Sequence, residues 1–159
     1  MRALVVLGEG GHTKEMLTLV DMLGEQDFEY GYVLVEDDVV SEAKIRHQGP
    51  VFRLPRPRGK EHHFLRDVCR TLYAAWRAWH ILRRFRPQVI LSSGPAVAVP
   101  VCFLGRFLGA KVIFVETGSR VTRLSLTGRL MYRVAHLFFV QWPELQERYP
   151  RAIYAGRLF

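Results

Sequence analysis

Residues 4–17 read Leu4-Val5-Val6-Leu7-Gly8-Glu9-Gly10-Gly11-His12-Thr13-Lys14-Glu15-Met16-Leu17 and predict a buried β-strand, a glycine turn and a helix in direct succession. The first four residues are continuously apolar, as in a central parallel strand covered on both faces. The three glycines permit a sharp turn with accessible N–H groups, and Thr13 is expected to cap the helix. A helix N-terminus after a glycine loop is a natural anion site. The alternative is a plain tight turn with His12 facing solvent.

Length and charge limit the classes of protein that fit this chain. Its 159 residues match one domain, 1–159, with a sizeable core. The net charge of +8, which comes largely from arginine, predicts an acidic partner such as nucleic acid, anionic lipid or a phosphorylated substrate. Cys69 and Cys102 lack metal-ligand spacing and are expected to be free, buried thiols. Neither a signal peptide nor a membrane-spanning segment is expected.

Strand and helix patterns alternate along the whole chain. Further strands are predicted at 30–35, 51–54, 89–91, 111–115, 137–141 and 152–156. The helices predicted between them include a short one from Ser41 to His47 and another that begins at Ser125 or Thr127. This alternation predicts an α/β fold, a Rossmann-like doubly wound parallel sheet whose ligand site lies beyond the carboxyl ends of the strands.

A long amphipathic helix is predicted from Phe64 to Phe85. Leu72, Trp76, Trp79 and Leu82 are among the residues expected on one broad apolar face. The residues expected to bind a membrane are Arg66, Arg70, Trp76, Arg77, Trp79 and Arg84. Tryptophan beside arginine with a single acid, Asp67, is typical of a helix in a lipid interface. A core helix whose arginines extend to water is the alternative, and both can hold for opposite sides of one helix.

Several polar and small residues are expected to meet at the ligand edge of the sheet. His12 follows the first strand and Glu116 follows the fifth, so both are candidate catalytic groups. Glu116 could orient His12, act as the base or hold an acceptor hydroxyl; alternatively it caps N–H groups of its own loop. The candidate substrate-binding residues are Gly8, Gly10, Gly11, Thr13, Ser93, Gly94, Ser119, Arg120 and Arg123. The two arginines could bind phosphate bidentately or form a solvated basic surface.

A family resemblance extends over nearly the whole chain. The loop Gly8–Leu17 resembles the start of the membrane-associated subunit of the two-subunit UDP-N-acetylglucosamine transferase of dolichol-linked oligosaccharide synthesis, whose bacterial relatives serve capsule and exopolysaccharide assembly. The more specific matches lie later, at Ser119-Arg120-Val121, Leu124–Gly128, Val140–Leu145 and Gly156-Arg157-Leu158. Two features depart from the family: the eukaryotic membrane-spanning helix is missing, and position 9 is glutamate, an acid that would repel phosphate.

The resemblance implies the amino-terminal half of a GT-B glycosyltransferase. It further implies a UDP-sugar donor, a polyprenyl-diphosphate-linked acceptor and a small partner subunit that binds the donor. The expected position is peripheral, on the cytoplasmic side of the membrane, and the expected activity is that of a hexosyltransferase subunit, inactive without its partner.

Two other functions remain open on the sequence. The chain could be a non-catalytic membrane adaptor that only recruits the catalytic partner. It could also be an independent nucleotide- or nucleic-acid-binding protein, although no nucleic-acid module is recognisable. No cofactor and no metal ion are expected, because neither zinc-ligand spacing nor an Asp-x-Asp pair occurs.

Overall fold

The computed structural model describes residues 1–56 and 64–158, apart from the side chains of 64–67. Its strands are β1 (Arg2–Val6), β2 (Glu29–Val35), β3 (Val51–Leu54), β4 (Val89–Ser92), β5 (Lys111–Val115), β6 (Leu137–Val140) and β7 (Ile153–Tyr154). Its helices are α1 (Gly11–Leu23), α2 (Val39–Glu42), α3 (Phe64–Phe85), α4 (Ala98–Phe107), α5 (Leu126–Val134) and α6 (Pro143–Arg148). The predicted α/β class and the order of elements are therefore confirmed.

The seven strands form one parallel sheet in the order β3-β2-β1-β4-β5-β6-β7. Val6 of β1 pairs with Val33 on one side and with Ser92 on the other. The chain thus winds outward in both directions from the β1–β4 pair. Such a reversal of strand order opens a crevice at the carboxyl edge, where ligands bind in doubly wound folds.

Helices cover both faces of the sheet, which explains why the central strands are continuously apolar. On one face Met16, Leu17 and Val20 of α1 pack against β1, β2 and β4. On the other face α3, α4 and α5 bury side chains that include Leu82, Val101 and Met131. The sheet therefore presents its carboxyl edge between two helical layers.

Three local predictions are wrong. Thr13 does not cap α1: the cap position is Gly10, and the Thr13 hydroxyl donates instead to the Gly8 carbonyl. The short helix predicted from Ser41 to His47 is instead α2, Val39–Glu42. It is capped by Asp38, which accepts a hydrogen bond from the Ser41 N–H. Cys69 is a free thiol but is exposed, whereas Cys102 is free and buried as predicted. The error at Cys69 arises because α3 has apolar residues on two opposite sides.

Helix α3 has the predicted bounds but not the predicted single apolar face. Leu82 belongs to the core with Ala74, Ala78, Ile81 and Phe85, whereas Leu72 and Trp76 lie on the opposite side and are 65% and 56% exposed. The helix is therefore apolar both on the side that faces the sheet and on the side that faces solvent. Among the described residues, no helix has the length and hydropathy needed to cross a bilayer.

Candidate functional site

The glycine loop after β1 brings the backbone close to the β4–α4 loop. A Cβ at Gly8 would lie 2.8 Å from Cβ of Pro95, so this close approach requires glycine. Gly10 has φ of 62°, a conformation that glycine adopts readily, and it leads directly into α1 at Gly11. The Thr13 hydroxyl donates to the Gly8 carbonyl, and the Ser41 hydroxyl, whose oxygen lies 2.8 Å from the Thr13 oxygen, donates to Thr13. The loop is therefore fixed from within and from α2.

A cavity of about 310 Å³ opens beside this loop, where the strand order reverses. It is lined by Gly8, Glu9, His12, Val35, Arg56, Pro95, Ala96 and Val97. Glu9 forms an ion pair with Arg56, so its charge is balanced by a cation at the same cavity. A larger cavity of about 700 Å³ lies at the opposite edge of the sheet, and none of the predicted site residues lines it.

His12 and Ser93 meet across this edge. The Ser93 Oγ lies 3.0 Å from the His12 carbonyl oxygen and 3.3 Å from Nδ1 of the His12 ring. A hydroxyl has one proton, and donating it to the carbonyl leaves Oγ as acceptor for an Nδ1–H. This tautomer leaves Nε2 as the basic ring nitrogen. Ser93 therefore has an orienting role towards the imidazole.

Glu116 is completely buried at the carboxyl end of β5. Its carboxylate accepts hydrogen bonds from the Thr117 N–H at 3.2 Å and from the Ser125 N–H and hydroxyl at 3.1 and 3.2 Å. A Cβ at Gly128 would overlap Oε2, which explains why glycine occupies the first turn of α5. Burial raises the pKa of Glu116, and this effect is opposed by the hydrogen bonds from Ser125 and Thr117 and by the charge of Arg120.

The hydrogen bonds of Glu116 thus go to its own loop and to the start of α5. Its carboxylate forms no hydrogen bond with His12, and the ring is held by Ser93 instead. The remaining predicted residues on this loop, Ser119, Arg120 and Arg123, are exposed. They lie within eight positions of Glu116 on the segment between β5 and α5, and among the described residues no hydrogen bond or ion pair joins Arg120 or Arg123 to the glycine loop.

The 116–124 loop is held by three residues for which the sequence alone predicts no role. Glu15 of α1 accepts hydrogen bonds from the Gly118 N–H at 2.7 Å and from the Thr117 hydroxyl at 3.1 Å. Gln141 donates to the Glu116 carbonyl at 3.1 Å, and the Trp142 indole N–H donates to the Gly118 carbonyl at 2.7 Å. A sequence signal existed for Glu15, since an acid within the apolar pattern of α1 needs a buried partner.

The residues predicted to bind a membrane differ in their surroundings. Arg70, Trp76 and Arg84 are exposed, whereas Trp79 is half-buried with the Arg83 guanidinium 5.7 Å from its ring centre. Arg77 is directed towards the sheet, donates to the Arg53 carbonyl at 3.2 Å and lies 3.7 Å from a carboxylate oxygen of Glu36. The side chain of Arg66 lies outside the described residues.

An apolar groove lies on the α1 face of the sheet, beside β5 and β6. It encloses about 360 Å³ and includes Met22, Ile113, Leu137, Phe139 and Leu158. Met22 and Leu137 are exposed at its rim. Both faces of a parallel sheet are normally covered, so this groove is an incompletely covered face.

Known proteins of one family match this chain over nearly its whole length. The family model described as "Oligosaccharide biosynthesis protein Alg14 like" matches residues 3–158. The protein named UDP-N-acetylglucosamine transferase subunit ALG14 of Rattus norvegicus is 35% identical over 176 residues, which cover 98% of this chain and 82% of the rat protein. The Homo sapiens protein of the same name is 32% identical over 98% of this chain and 82% of its own length.

Solved structures share the fold at low sequence identity. MurG of Acinetobacter baumannii superposes with a TM-score of 0.75 at 17% identity, covering 90% of this chain and 42% of MurG. A UDP-GlcNAc 2-epimerase of Neisseria meningitidis, solved with UDP-GlcNAc, gives a TM-score of 0.72 at 12% identity over 99% of this chain and 47% of the epimerase. The chain therefore spans less than half of the length of these solved structures.

Proposed function

Because the chain belongs to the Alg14-like family of oligosaccharide biosynthesis proteins, we propose that it is a membrane-docked subunit of a UDP-sugar-dependent glycosyltransferase with a lipid-linked acceptor. The donor is a UDP-sugar, N-acetylglucosamine in the relatives' names. The observation that carries the proposal is that His12, which lines the cavity at the reversal of strand order, is in contact with Ser93 of the β4–α4 loop. A separate subunit binds the donor and completes the site.

Glycosyl transfer needs a base beside the acceptor and stabilisation of the departing diphosphate. The Nε2 atom of His12 is suited to take the acceptor proton, because Ser93 holds Nδ1 as the protonated nitrogen. Arg120 and Arg123 are exposed at the same edge and provide charge for phosphate. Glu116 shapes the loop that carries Arg120 and orients the start of α5.

The outer surface of α3, α4 and α5 is suited to an anionic membrane. Its exposed apolar side chains are Val68, Leu72, Trp76, Phe103, Phe107, Leu126 and Leu130. Arginines accompany them on all three helices, and between residues 68 and 142 the sequence has one acid, Glu116, which is buried. Aromatic and aliphatic groups among arginines favour a lipid interface, and each cation contributes about 1 kcal/mol near anionic lipid.

This surface continues to the candidate site. Ser125 hydrogen-bonds the buried Glu116, and the next residue, Leu126, is 71% exposed on the outer side of α5. An acceptor whose lipid chain lies in the membrane can therefore present its diphosphate and sugar at the carboxyl edge. The arginines of the 116–124 loop lie on this route.

The apolar groove between α1 and β6 is proposed to bind the partner subunit. Its lining is almost uncharged, and it lies on the face opposite the arginine-rich helices, so one surface can bind protein while the other binds lipid. Substituting Leu137→Arg is expected to abolish co-purification with the partner. The matched control is Val40→Arg on α2, since Val40 is exposed but lies outside both surfaces. Equal loss in both variants would contradict this assignment.

Reconstitution tests the proposed activity. The purified chain, its partner and vesicles with a polyprenyl-diphosphate-linked acceptor are combined with labelled UDP-GlcNAc. We expect transfer only when both subunits are present, and a His12→Ala chain that still co-purifies should lose it. Transfer by this chain alone would contradict the two-subunit proposal. Full activity of the His12→Ala complex would contradict a catalytic role of His12 and favour the alternative that the chain is a non-catalytic adaptor.

A further inference from the structure

Glu15 connects the two parts of the chain that carry the candidate catalytic groups. It lies three residues after His12 on α1, and its Oε1 accepts hydrogen bonds from the loop that follows Glu116. The donors are the Gly118 N–H at 2.7 Å and the Thr117 hydroxyl at 3.1 Å. The side chain is 6% exposed, so water competes weakly for these bonds.

The carboxylate of Glu15 is not arranged to maximise stability. Its second oxygen, Oε2, is buried and has no hydrogen-bond partner. An unsatisfied buried oxygen costs free energy, so only one of the two carboxylate oxygens of Glu15 contributes to the stability of the loop. A buried polar group that is only half satisfied is better explained by function than by folding.

The loop also has attachments that do not involve Glu15. Gln141 and Trp142, at the end of β6, bind the carbonyls of Glu116 and Gly118 from the opposite side. The Glu116 carboxylate additionally ties the loop to Ser125. These contacts attach the loop to β6 and to the start of α5, whereas the bonds from Glu15 attach it to α1.

We propose that Glu15 is a positioning residue that holds the 116–124 loop in register with His12 at the acceptor site. This inference rests on the proposed function for its catalytic consequence, but its geometric part stands independently. Glu15 acts through the accepting oxygen of its side chain, and its negative charge is not required. Glutamine, which retains that oxygen, therefore substitutes for it, whereas alanine does not.

Hydrogen exchange of the isolated chain tests the geometric part. In Glu15→Ala, amide exchange in the peptide over Thr117–Arg120 is expected to rise about tenfold, as for the loss of the buried hydrogen bond from the Gly118 N–H. Glu15→Gln should restore protection. The control is Tyr30→Phe, which removes a 2.7 Å bond to the Gly24 carbonyl at the other end of α1. Wild-type protection of the loop in Glu15→Ala would overturn the proposal.

Kinetics of the reconstituted complex tests the catalytic part. Because a displacement of about 1 Å can cost about 10²-fold, Glu15→Ala should lower kcat by that order and leave the KM for the UDP-sugar unchanged. Glu15→Gln should recover most of kcat. Equal loss of kcat in both variants would overturn the positioning role in favour of a charge-dependent role.

A second variant covers the case in which Glu15→Ala does not fold. Thr117→Val removes one of the two hydrogen bonds to Glu15 and is expected to raise amide exchange of the loop to a smaller extent. Unchanged exchange in Thr117→Val would also overturn the proposal.

The two experiments distinguish failure of the proposed function from failure of the positioning role of Glu15. A wild-type complex without transferase activity would refute the proposed function, while loss of loop protection in Glu15→Ala would still support the positioning geometry. A fully active Glu15→Ala complex with an unprotected loop would restrict Glu15 to a structural role and overturn the catalytic consequence.

Discussion

The Ser93 hydroxyl bridges the His12 carbonyl and the His12 ring, at 3.0 Å and 3.3 Å, although the two residues are 81 positions apart. One side chain of the β4–α4 loop thereby contacts both the backbone and the ring of the second residue of α1. His12 and Ser93 are arranged like a catalytic base and the group that orients it, and here the orienting group is a hydroxyl instead of a carboxylate.

Substitutions at these two residues should be strongly non-additive. We expect His12→Ala to lower turnover of the reconstituted complex by about 10²–10⁴-fold, as for loss of a general base. Ser93→Ala should have a smaller effect, of the order of tenfold, because the ring remains but loses its orienting partner. The double variant should match His12→Ala alone. Independent, multiplicative losses would show that Ser93 acts elsewhere.

The buried Glu116 carboxyl should give the stability a specific pH dependence. Burial raises the pKa of Glu116 above its ordinary value of 4.5, so the folded state binds this proton more tightly than the unfolded state. The stabilisation is complete below pH 4.5 and is lost as the pH rises through the folded-state pKa. Glu116→Gln cannot ionise and lacks this dependence.

Urea unfolding between pH 4 and pH 8 measures the effect. The unfolding free energy of the wild type minus that of Glu116→Gln is expected to fall as the pH rises, whatever constant offset the new amide introduces. Parallel pH curves for the two proteins would contradict the raised pKa.

Membrane binding should depend on the outer side of α3. The double substitution Leu72→Glu, Trp76→Glu places two acids on exposed positions and should remove most of the protein from anionic vesicles in a flotation assay. The matched control is Val39→Glu, Val40→Glu on α2, where the residues are 68% and 67% exposed and thus as accessible as Leu72. Raising the salt concentration should weaken wild-type binding. Equal retention of both variants would refute this surface.

Cys69 offers an independent reporter of the same surface. It is exposed one turn before Leu72 and Tyr73, so a maleimide should label it in the native protein. Cys102 is fully buried, and burial raises its pKa to about 12, so it should react only after unfolding. Anionic vesicles should slow the labelling of Cys69, and Cys69→Ser should abolish native labelling. An unchanged rate with vesicles would place α3 away from the lipid.

The order of elements could be predicted because each is encoded locally. A continuous apolar run, a glycine turn and helical spacing specify β1 and α1 within residues 4–17, and α3 has the predicted bounds, Phe64–Phe85. Alternation then requires a parallel sheet, since each crossover helix returns the chain in the same direction. The sequence also specified the family, because its matching motifs occur in order along nearly the entire chain.

Only the tertiary structure decided which side chains meet. Gly118 and Glu15 are 103 positions apart, and their hydrogen bond follows from the packing of α1 beside β5, which no local pattern encodes. Periodicity places Leu72 and Leu82 on one apolar side of α3, but only packing against the sheet buries Leu82 and leaves Leu72 exposed. The spacing of hydrophobic residues predicts which side of a helix or strand is apolar. The hydrogen-bond partners of a buried polar group depend instead on how elements that are distant in sequence pack together.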